Sequence, residues 1–551
     1  MADLSYEAWV ARFRWEVPER FNWATDIFER HANDLTRVAL YWVSESGEER
    51  KITFAELTRL SKRFAAVLQN IGVKKGDKVF LMLSNVPEWW EIALGCIRIG
   101  VILIPATTML TSKDIMYRLT SSATPVVVTD AEGAAKVDDV RGEVPGVRQF
   151  ILVGGQKAGW KAFGQLMSRA GKIGHVEKTS SKDPMLIYFT SGTMGPPKMV
   201  LHTQASYGIG HRVTAKWLNV SSGDIHWTVT GTGWAKHAYG NLFGPWYSGA
   251  TLFVFHCAGR FNAKRHLDIL QRYDITSFCA APTAWRMIVL EDLKSYRFPH
   301  LREVTSAGEP LNPEVIQKWK KITGLTIRDG YGQTECALVI ANFPGMDVKL
   351  GSMGKPSAGF DVAVIDEMGN RLGAGTEGDV AINIKPRPVG LFEGYYNNPE
   401  KTKGVFRGNW YITDDRAYID NDGYFWFLGR ADDVIKSSGY RIGPFEVESI
   451  LLEHPAVAEA AAVASPDELR GSIVKAFIVL KRGHIPSNEL ATQIMEFTKK
   501  MTAPYKHPRK IEFVDELPKT LTGKIRRNEL RALELERFQA MKTGRQDKAA
   551  A

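Results

Sequence analysis

The chain has 551 residues, 44% of them hydrophobic and 24% charged, with a formal net charge of +10. That make-up is ordinary for a globular protein too long for one core, so several structural units are expected. The charge suits attraction of an anionic small molecule. With no basic stripe interleaved with aromatics, nucleic acid is excluded as the partner.

The opening "MADLSYEAWVARFRWEVPERFNW" mixes acids and bases without a continuous apolar run, which argues against a secretory signal. No stretch of about eighteen uncharged apolar residues occurs, so no membrane span is expected. Cys96, Cys257, Cys279 and Cys336 show neither metal-ligand spacing nor a disulfide framework, which fits a reducing compartment, and a cytoplasmic location is expected. Leu57, Leu60, Phe64, Ala65 and Leu68 recur at three- and four-residue steps ahead of Gly72 and predict a helix over 55–76. A strand over 78–83 follows, then a helix over 87–99. "IPATTML", "TPVVVTD" and "QFILVGG" read as further strands. Strands alternating with helices of this length predict βαβ units and a largely parallel sheet. Met185–Phe189 is a short apolar run, the pattern of a strand covered on both faces. The alternation resumes with a helix over 263–273 and a strand over 276–281.

The texture changes near residue 430, where "GRADDVIKSSGYRIGP" is dense in Gly, Ser, Asp and charge. A strand "KAFIVLK", a helix over 488–501 and "RKIEFVDELP" lie beyond it. The predicted fold is α/β: a large multi-layer N-terminal domain over 1–429 with mostly parallel sheets, a junction at 430–433, and a small α+β domain over 434–551. The polar end "KTGRQDKAAA" is expected to be disordered.

Four stretches carry chemistry. In "FTSGTMGPPK", 189–198, Gly192 and Gly195 allow close backbone approach while Pro196 and Pro197 exclude helix. Thr190, Ser191 and Thr193 offer hydroxyls beside backbone N–H groups, and Lys198 offers a point charge, a set suited to phosphate oxygens. The Walker loop is ruled out, since no Gly-Lys-Ser/Thr follows a glycine at the required spacing; a plain surface turn stays open. In "RDGYGQTEC", 328–336, Glu335 suits Mg²⁺, Thr334 a phosphate and Tyr331 a base, against a helix start capped by Thr334. In "YITDD", 411–415, Asp415 can accept both hydroxyls of a ribose, or the stretch is a turn with two acids. In "LPKTLTGKIRR", 517–527, Lys524 follows a glycine in a polar loop, or the stretch is a solvated basic tail.

Together and in this order these stretches resemble the AMP-forming acyl-CoA synthetases of the acyl-adenylate (ANL) superfamily, most closely the medium-chain subgroup. The resemblance covers nearly the whole chain, most densely 185–527. It implies an enzyme using ATP, Mg²⁺ and CoA on a small carboxylic acid. The loop Thr190, Ser191, Gly192, Thr193, Met194, Gly195 and Lys198 would cover the β- and γ-phosphates. Glu335 would hold the metal and Thr334 a phosphate. Gly308, Glu309 and Pro310 would flank the adenine, with Asp329, Gly330, Tyr331, Gly332 and Gln333 on the other side. Asp415 and Arg430 would bind the ribose, Asp432 would be the hinge, and Lys524 the mobile catalytic lysine. The family usually has glycine where this chain has Asp414.

"SSGYRIGP" and "SPDELRGSIVKAF" imply CoA as acyl acceptor, with Ser438, Gly439, Tyr440, Arg441, Arg470 and Lys499 near it. The acyl pocket would involve Trp234, Lys236, Tyr239 and Cys279, with Gly332 as its floor. Acetate-specific relatives carry tryptophan at that floor, so its absence implies a larger acid: short- to medium-chain, branched or cyclic. An acetyl- or propionyl-CoA synthetase is the alternative. A carrier-protein-loading adenylation enzyme fits less well, because Lys236 would repel an amino-acid ammonium, and a non-enzymatic nucleotide-binding module fits least. The particular acid, the physiological direction and the oligomeric state, monomer or homodimer, stay open.

Overall fold

The computed structural model describes residues 5–190, 196–257, 259, 261–437, 440–467, 470–503, 505–520 and 523–549. One sheet of eight strands runs Gly394–Tyr395, Lys198–Thr203, Pro184–Thr190, Ile102–Pro105, Lys78–Met82, Val126–Thr129, Gln149–Leu152, Lys161–Ala162. From Pro184–Thr190 to Lys161–Ala162 every neighbouring pair is parallel. Val79, Phe80, Leu81 and Met82 are fully buried, the unbroken apolar pattern of a strand with both faces covered. The helices Phe54–Asn70 and Pro87–Arg98 pack together beside it. Thr53 caps the first by accepting from Glu56 N, and Pro87 opens the second.

A second sheet of nine strands contains a parallel run of six: Val38–Ser44, Thr251–His256, Ile225–Thr228, Ser277–Ala280, Glu303–Ala307 and Arg328–Gly332. Antiparallel strands close both its ends. A third sheet, of five strands, is antiparallel throughout and includes Trp410–Ile419 and Phe425–Arg430. Beyond it, the antiparallel pair Ile435–Ser437 and Tyr440–Ile442, a three-stranded sheet and the helices Pro444–Glu453, Asn488–Met501 and Arg527–Ala549 form a smaller unit. That unit has its own core of Ile435, Ile442, Val447, Leu451, Ile478 and Ile494. The large domain of mostly parallel sheets with a smaller C-terminal domain is therefore as predicted. Among the described residues no helix is long and apolar enough to cross a membrane.

Three features differ from the sequence reading. The five-stranded antiparallel sheet was not anticipated, and neither was Val457–Asp467, an alanine-rich stretch that is a strand because it lies between Gly471–Leu480 and the helix Pro444–Glu453. Of the polar end expected to be disordered, residues 542–549 continue the helix Arg527–Ala549 and 550–551 lie outside the described residues; lysine, arginine, glutamine and alanine are good helix formers.

Candidate active site

Several carboxyl ends of the parallel strands converge, the usual location of a binding crevice in such sheets. Thr305, Ser306 and Ala307 pair in register with Arg328, Asp329 and Gly330. Past Ala307 the chain turns at Gly308, whose φ of +105° favours glycine. Lys236 Nζ donates to Ala307 O at 2.6 Å and lies 3.8 Å from where a Cβ on Gly308 would stand. Burial lowers the pKa of Lys236, and the nearby Lys524 charge adds to that. Glu309, beside Pro310, is ion-paired to Arg286 at 3.1 Å. Asp329 is buried, its carboxylate accepting from Leu311 N at 3.3 Å and Gly330 N at 3.0 Å. Burial still pushes its pKa up to about 8.

The antiparallel sheet supplies the opposite wall. Trp410–Ile419 bulges against Gly378–Asn383 between Ile412 and Arg416, and Asp414 in that bulge has φ +61°. A left-handed residue there explains why glycine suits the position and why aspartate, which tolerates that region, can replace it. The bulge re-aims Asp415 inward. Asp415 Oδ2 accepts from Tyr331 Oη at 2.6 Å and Gln333 Nε2 at 2.8 Å, and Asp415 pairs in register with Arg430. Burial raises the Asp415 pKa to about 6, opposed by the Tyr331 hydrogen bond and the charges of Arg430 and Lys524. Gln333 is itself held by Tyr411 Oη, which donates to its Oε1 at 3.0 Å.

Thr334 and Glu335 lie in a turn, not at a helix start. Glu335 Oε1 accepts from Tyr395 Oη at 2.9 Å; burial raises its pKa, opposed by that bond and by the Lys198 charge. His202 Nε2 donates to Thr334 O at 2.7 Å. Burial pushes His202 down to about 3, so the ring is neutral and fixes the turn by a hydrogen bond without charge. Thr190 and Lys198 pair across two antiparallel strands; Ser191, Gly192, Thr193, Met194 and Gly195 between them lie outside the described residues. The sequence reading missed His202, Tyr395 and Tyr411. Tyr411 opens the stretch "YITDD" but was read there only as a neighbour of Asp415, and the sheets are what bring all three to Gln333, Thr334 and Glu335.

The C-terminal unit reaches this site. Thr520 N donates to Lys524 O at 2.7 Å and shapes the loop. A Cβ on Gly523 would stand 3.2 Å from Thr283 Oγ1, so the loop leans on the helix Pro282–Ile288 of the large domain. Lys524 is exposed there, and its charge acts on both Asp415 and Lys236. Asp432 lies in a turn, 3.4 Å from Arg430 Nε and 3.8 Å from Arg531. Of the residues read as CoA contacts, Ser438 and Gly439 lie outside the described residues, and Arg441 is in the strand Tyr440–Ile442. Tyr440 is half-exposed and stacked on Tyr505 at 4.3 Å. Arg470 and Lys499 are exposed elsewhere on the same unit.

Around the acyl-pocket residues, Cys279 is fully buried and Trp234 and Tyr239 are half-buried. Gly332, read as the floor of the pocket, lies close to the backbone that follows it. A Cβ there would meet Ala337 O at 2.6 Å, because the strand Leu338–Ala341 folds back antiparallel across it. The glycine whose missing side chain leaves room beside Trp217 is Gly330, where a Cβ would stand 2.9 Å from the indole.

A family model described as AMP-binding enzyme matches residues 28–396, and one described as AMP-binding enzyme C-terminal domain matches 446–524. The chain is 48% identical to mitochondrial acyl-coenzyme A synthetase ACSM3 of Rattus norvegicus, over 96% of this chain and 93% of that one. It is also 48% identical to mitochondrial acyl-coenzyme A synthetase ACSM4 of the same organism, over 94% and 91%. The solved structure of the anthranilate CoA ligase AuaEII in complex with anthranoyl-AMP superposes with a TM-score of 0.88, at 32% identity over 95% of this chain and 99% of that one. Both relatives are named mitochondrial, which overturns the expectation of a cytoplasmic location.

Proposed function

The chain belongs to the AMP-binding enzyme family as an AMP-forming CoA ligase, and from that premise we propose that it joins a short- to medium-chain carboxylic acid, branched and cyclic acids included, to CoA. The observation that carries the reading is the docking of the Lys524 loop on Thr283, which brings its charge within electrostatic reach of Asp415 and Lys236.

A carboxylic acid is already ionised at neutral pH, so the first half-reaction needs no general base. Its oxygen attacks the α-phosphorus of ATP and pyrophosphate leaves. The protein's task is to gather two anions and stabilise the charge that grows on the phosphoryl oxygens. Lys524 and Lys198 supply positive charge for that. Asp415 takes the ribose hydroxyls with Arg430 alongside, and the turn held by His202 presents Thr334 to a phosphate. Among the described residues no group of three His, Cys, Asp or Glu forms a metal cage, which fits Mg²⁺, an ion held by one or two carboxylates together with substrate phosphates. Glu335 would be that carboxylate, with Tyr395 occupying one oxygen. When bound, Mg²⁺ neutralises charge on the triphosphate oxygens.

In the second half-reaction the CoA thiolate attacks the acyl carbon, the thioester forms and AMP leaves with the acyl–phosphate bonding pair. That step has no use for Lys524 at the phosphate. The C-terminal domain, 434–551, would turn at 430–433 about Asp432, withdrawing Lys524 and bringing Ser438, Gly439, Tyr440 and Arg441 to the site. Arg470 and Lys499 would meet the CoA phosphates.

The test is purified protein with Mg²⁺·ATP and a panel of acids. Acid-dependent pyrophosphate release, followed by AMP and acyl-CoA on adding CoA, is expected. Release of ADP and phosphate, or pyrophosphate release indifferent to the acid, would sink the reading.

A further inference from the structure

One face of the nine-stranded sheet carries buried polar atoms without partners. Thr228, Cys279 and Thr305 stand in register on adjacent parallel strands, and Thr305 pairs with Arg328, two residues before Gly330. Trp217, from the helix Arg212–Leu218, lies against Gly330. Tyr239 sits next to it, with ring centres 6.4 Å apart, and His211 is 6.2 Å from Tyr239 on another side. Trp217 and Thr305 are fully buried and His211 is 2% exposed. Yet Trp217 Nε1, Tyr239 Oη, His211 Nε2 and Thr305 Oγ1 have no hydrogen-bond partner among the described residues. Folded proteins rarely leave several such atoms together unless a ligand or water completes them.

The chemistry of these atoms selects the ligand. An indole N–H can only donate, so the group it meets must offer a lone pair; a tyrosine or threonine hydroxyl can donate or accept. Of the cations placed near this face, Arg328 is committed to Glu303 at 2.6 Å and to the carbonyls of Trp217 and Asn342, and Lys236 donates to the Ala307 carbonyl at 2.6 Å, so nothing here calls for a second carboxylate. We propose that the tail of the acid substrate carries a neutral oxygen, a hydroxyl or a carbonyl, recognised by Trp217, Tyr239, His211 and Thr305. This rests on the proposed reading that the acid lies over this face. A site built to hydrogen-bond such a group rejects the analogue lacking it, because its buried donors are then left unpaired.

The experiment compares kcat/KM, read by pyrophosphate release, for hexanoate against its 2- to 6-hydroxy derivatives and 5-oxohexanoate, and for benzoate against the three hydroxybenzoates. At least one oxygenated acid is expected to exceed its parent by roughly tenfold or more. In Tyr239→Phe and in Trp217→Phe that ratio is expected to fall towards one, and the ratio is read within each variant so that a general loss of activity cancels. If no oxygenated acid exceeds its parent, or if the preference survives in both variants, the proposal is overturned while CoA ligation stands. If no acid of either kind gives acyl-CoA, the proposed function falls and this inference with it.

Discussion

Tyr331 Oη donates to Asp415 Oδ2 at 2.6 Å, joining the last parallel strand of one sheet to the bulged strand of another. The bond opposes the burial that raises Asp415 to a pKa of about 6. An ionised Asp415 is the better acceptor for ribose hydroxyls, so kcat/KM for ATP should decline below about pH 6. In Tyr331→Phe one of the influences holding the pKa down is gone, and the acid limb should move to higher pH. Profiles of pyrophosphate release from pH 5 to 8 check this; a limb that does not move assigns it to another group.

Lys524→Ala should abolish adenylate formation while largely sparing thioester formation from a supplied acyl-adenylate, since Lys524 has charge to stabilise only in the first step. Equal loss in both half-reactions, each measured alone, would count against the assigned role.

Asp432→Pro should have the opposite effect. Proline fixes φ near −65° and removes an N–H, so a hinge whose torsions must change would be trapped. With the Lys524 loop docked as it is here, near-normal adenylation and slow thioester formation are expected. Normal turnover would move the hinge elsewhere.

Gly330 and Gly332 should respond differently to one added methyl. Gly330→Ala presses on Trp217 and Leu338 side chains and should lower kcat/KM for larger acids more than for acetate. Gly332→Ala presses on the Ala337 carbonyl, a backbone atom that cannot step aside cheaply. It should lower Tm and depress activity evenly across acetate, butyrate, hexanoate and benzoate. A selective loss in Gly332→Ala would return the pocket floor to that position.

Glu91, on the helix Pro87–Arg98, has its pKa raised from 4.5 to about 7, mainly by burial and then by the Glu88 charge, with Arg50 opposing. Below about pH 4.5 both folded and unfolded chains hold the proton. Between there and about pH 7 the folded state keeps a proton that the unfolded chain has lost, so stability falls as pH rises, by on the order of 3 kcal/mol in all. Glu91→Gln should therefore raise Tm clearly at pH 8 and little at pH 5, as scanning calorimetry would read. A gain that is equal at both pH values would rule out titration of Glu91 as its source.

The sequence by itself determined the local matters. Apolar runs such as Val79–Met82 specify strands buried on both faces, heptad-like spacing specifies the helix Phe54–Asn70, and the Gly-, Ser- and Asp-rich stretches mark where the chain cannot continue either. Asp415, Glu335 and Lys524 were legible because short polar motifs put them in fixed chemical company. Tertiary structure decided what depends on strands distant in sequence. Tyr395 reaches Glu335 across 60 residues and His202 reaches Thr334 across 132, contacts with no local pattern to announce them. Val457–Asp467 became a strand against its alanine content because a sheet partner and a helix cover it. Gly330 and Gly332 are chemically identical and two residues apart. The fold-back into Leu338–Ala341 sets the Ala337 carbonyl against Gly332, and the helix Arg212–Leu218 sets the Trp217 indole against Gly330, since the direction of a missing side chain is fixed by what packs around the strand.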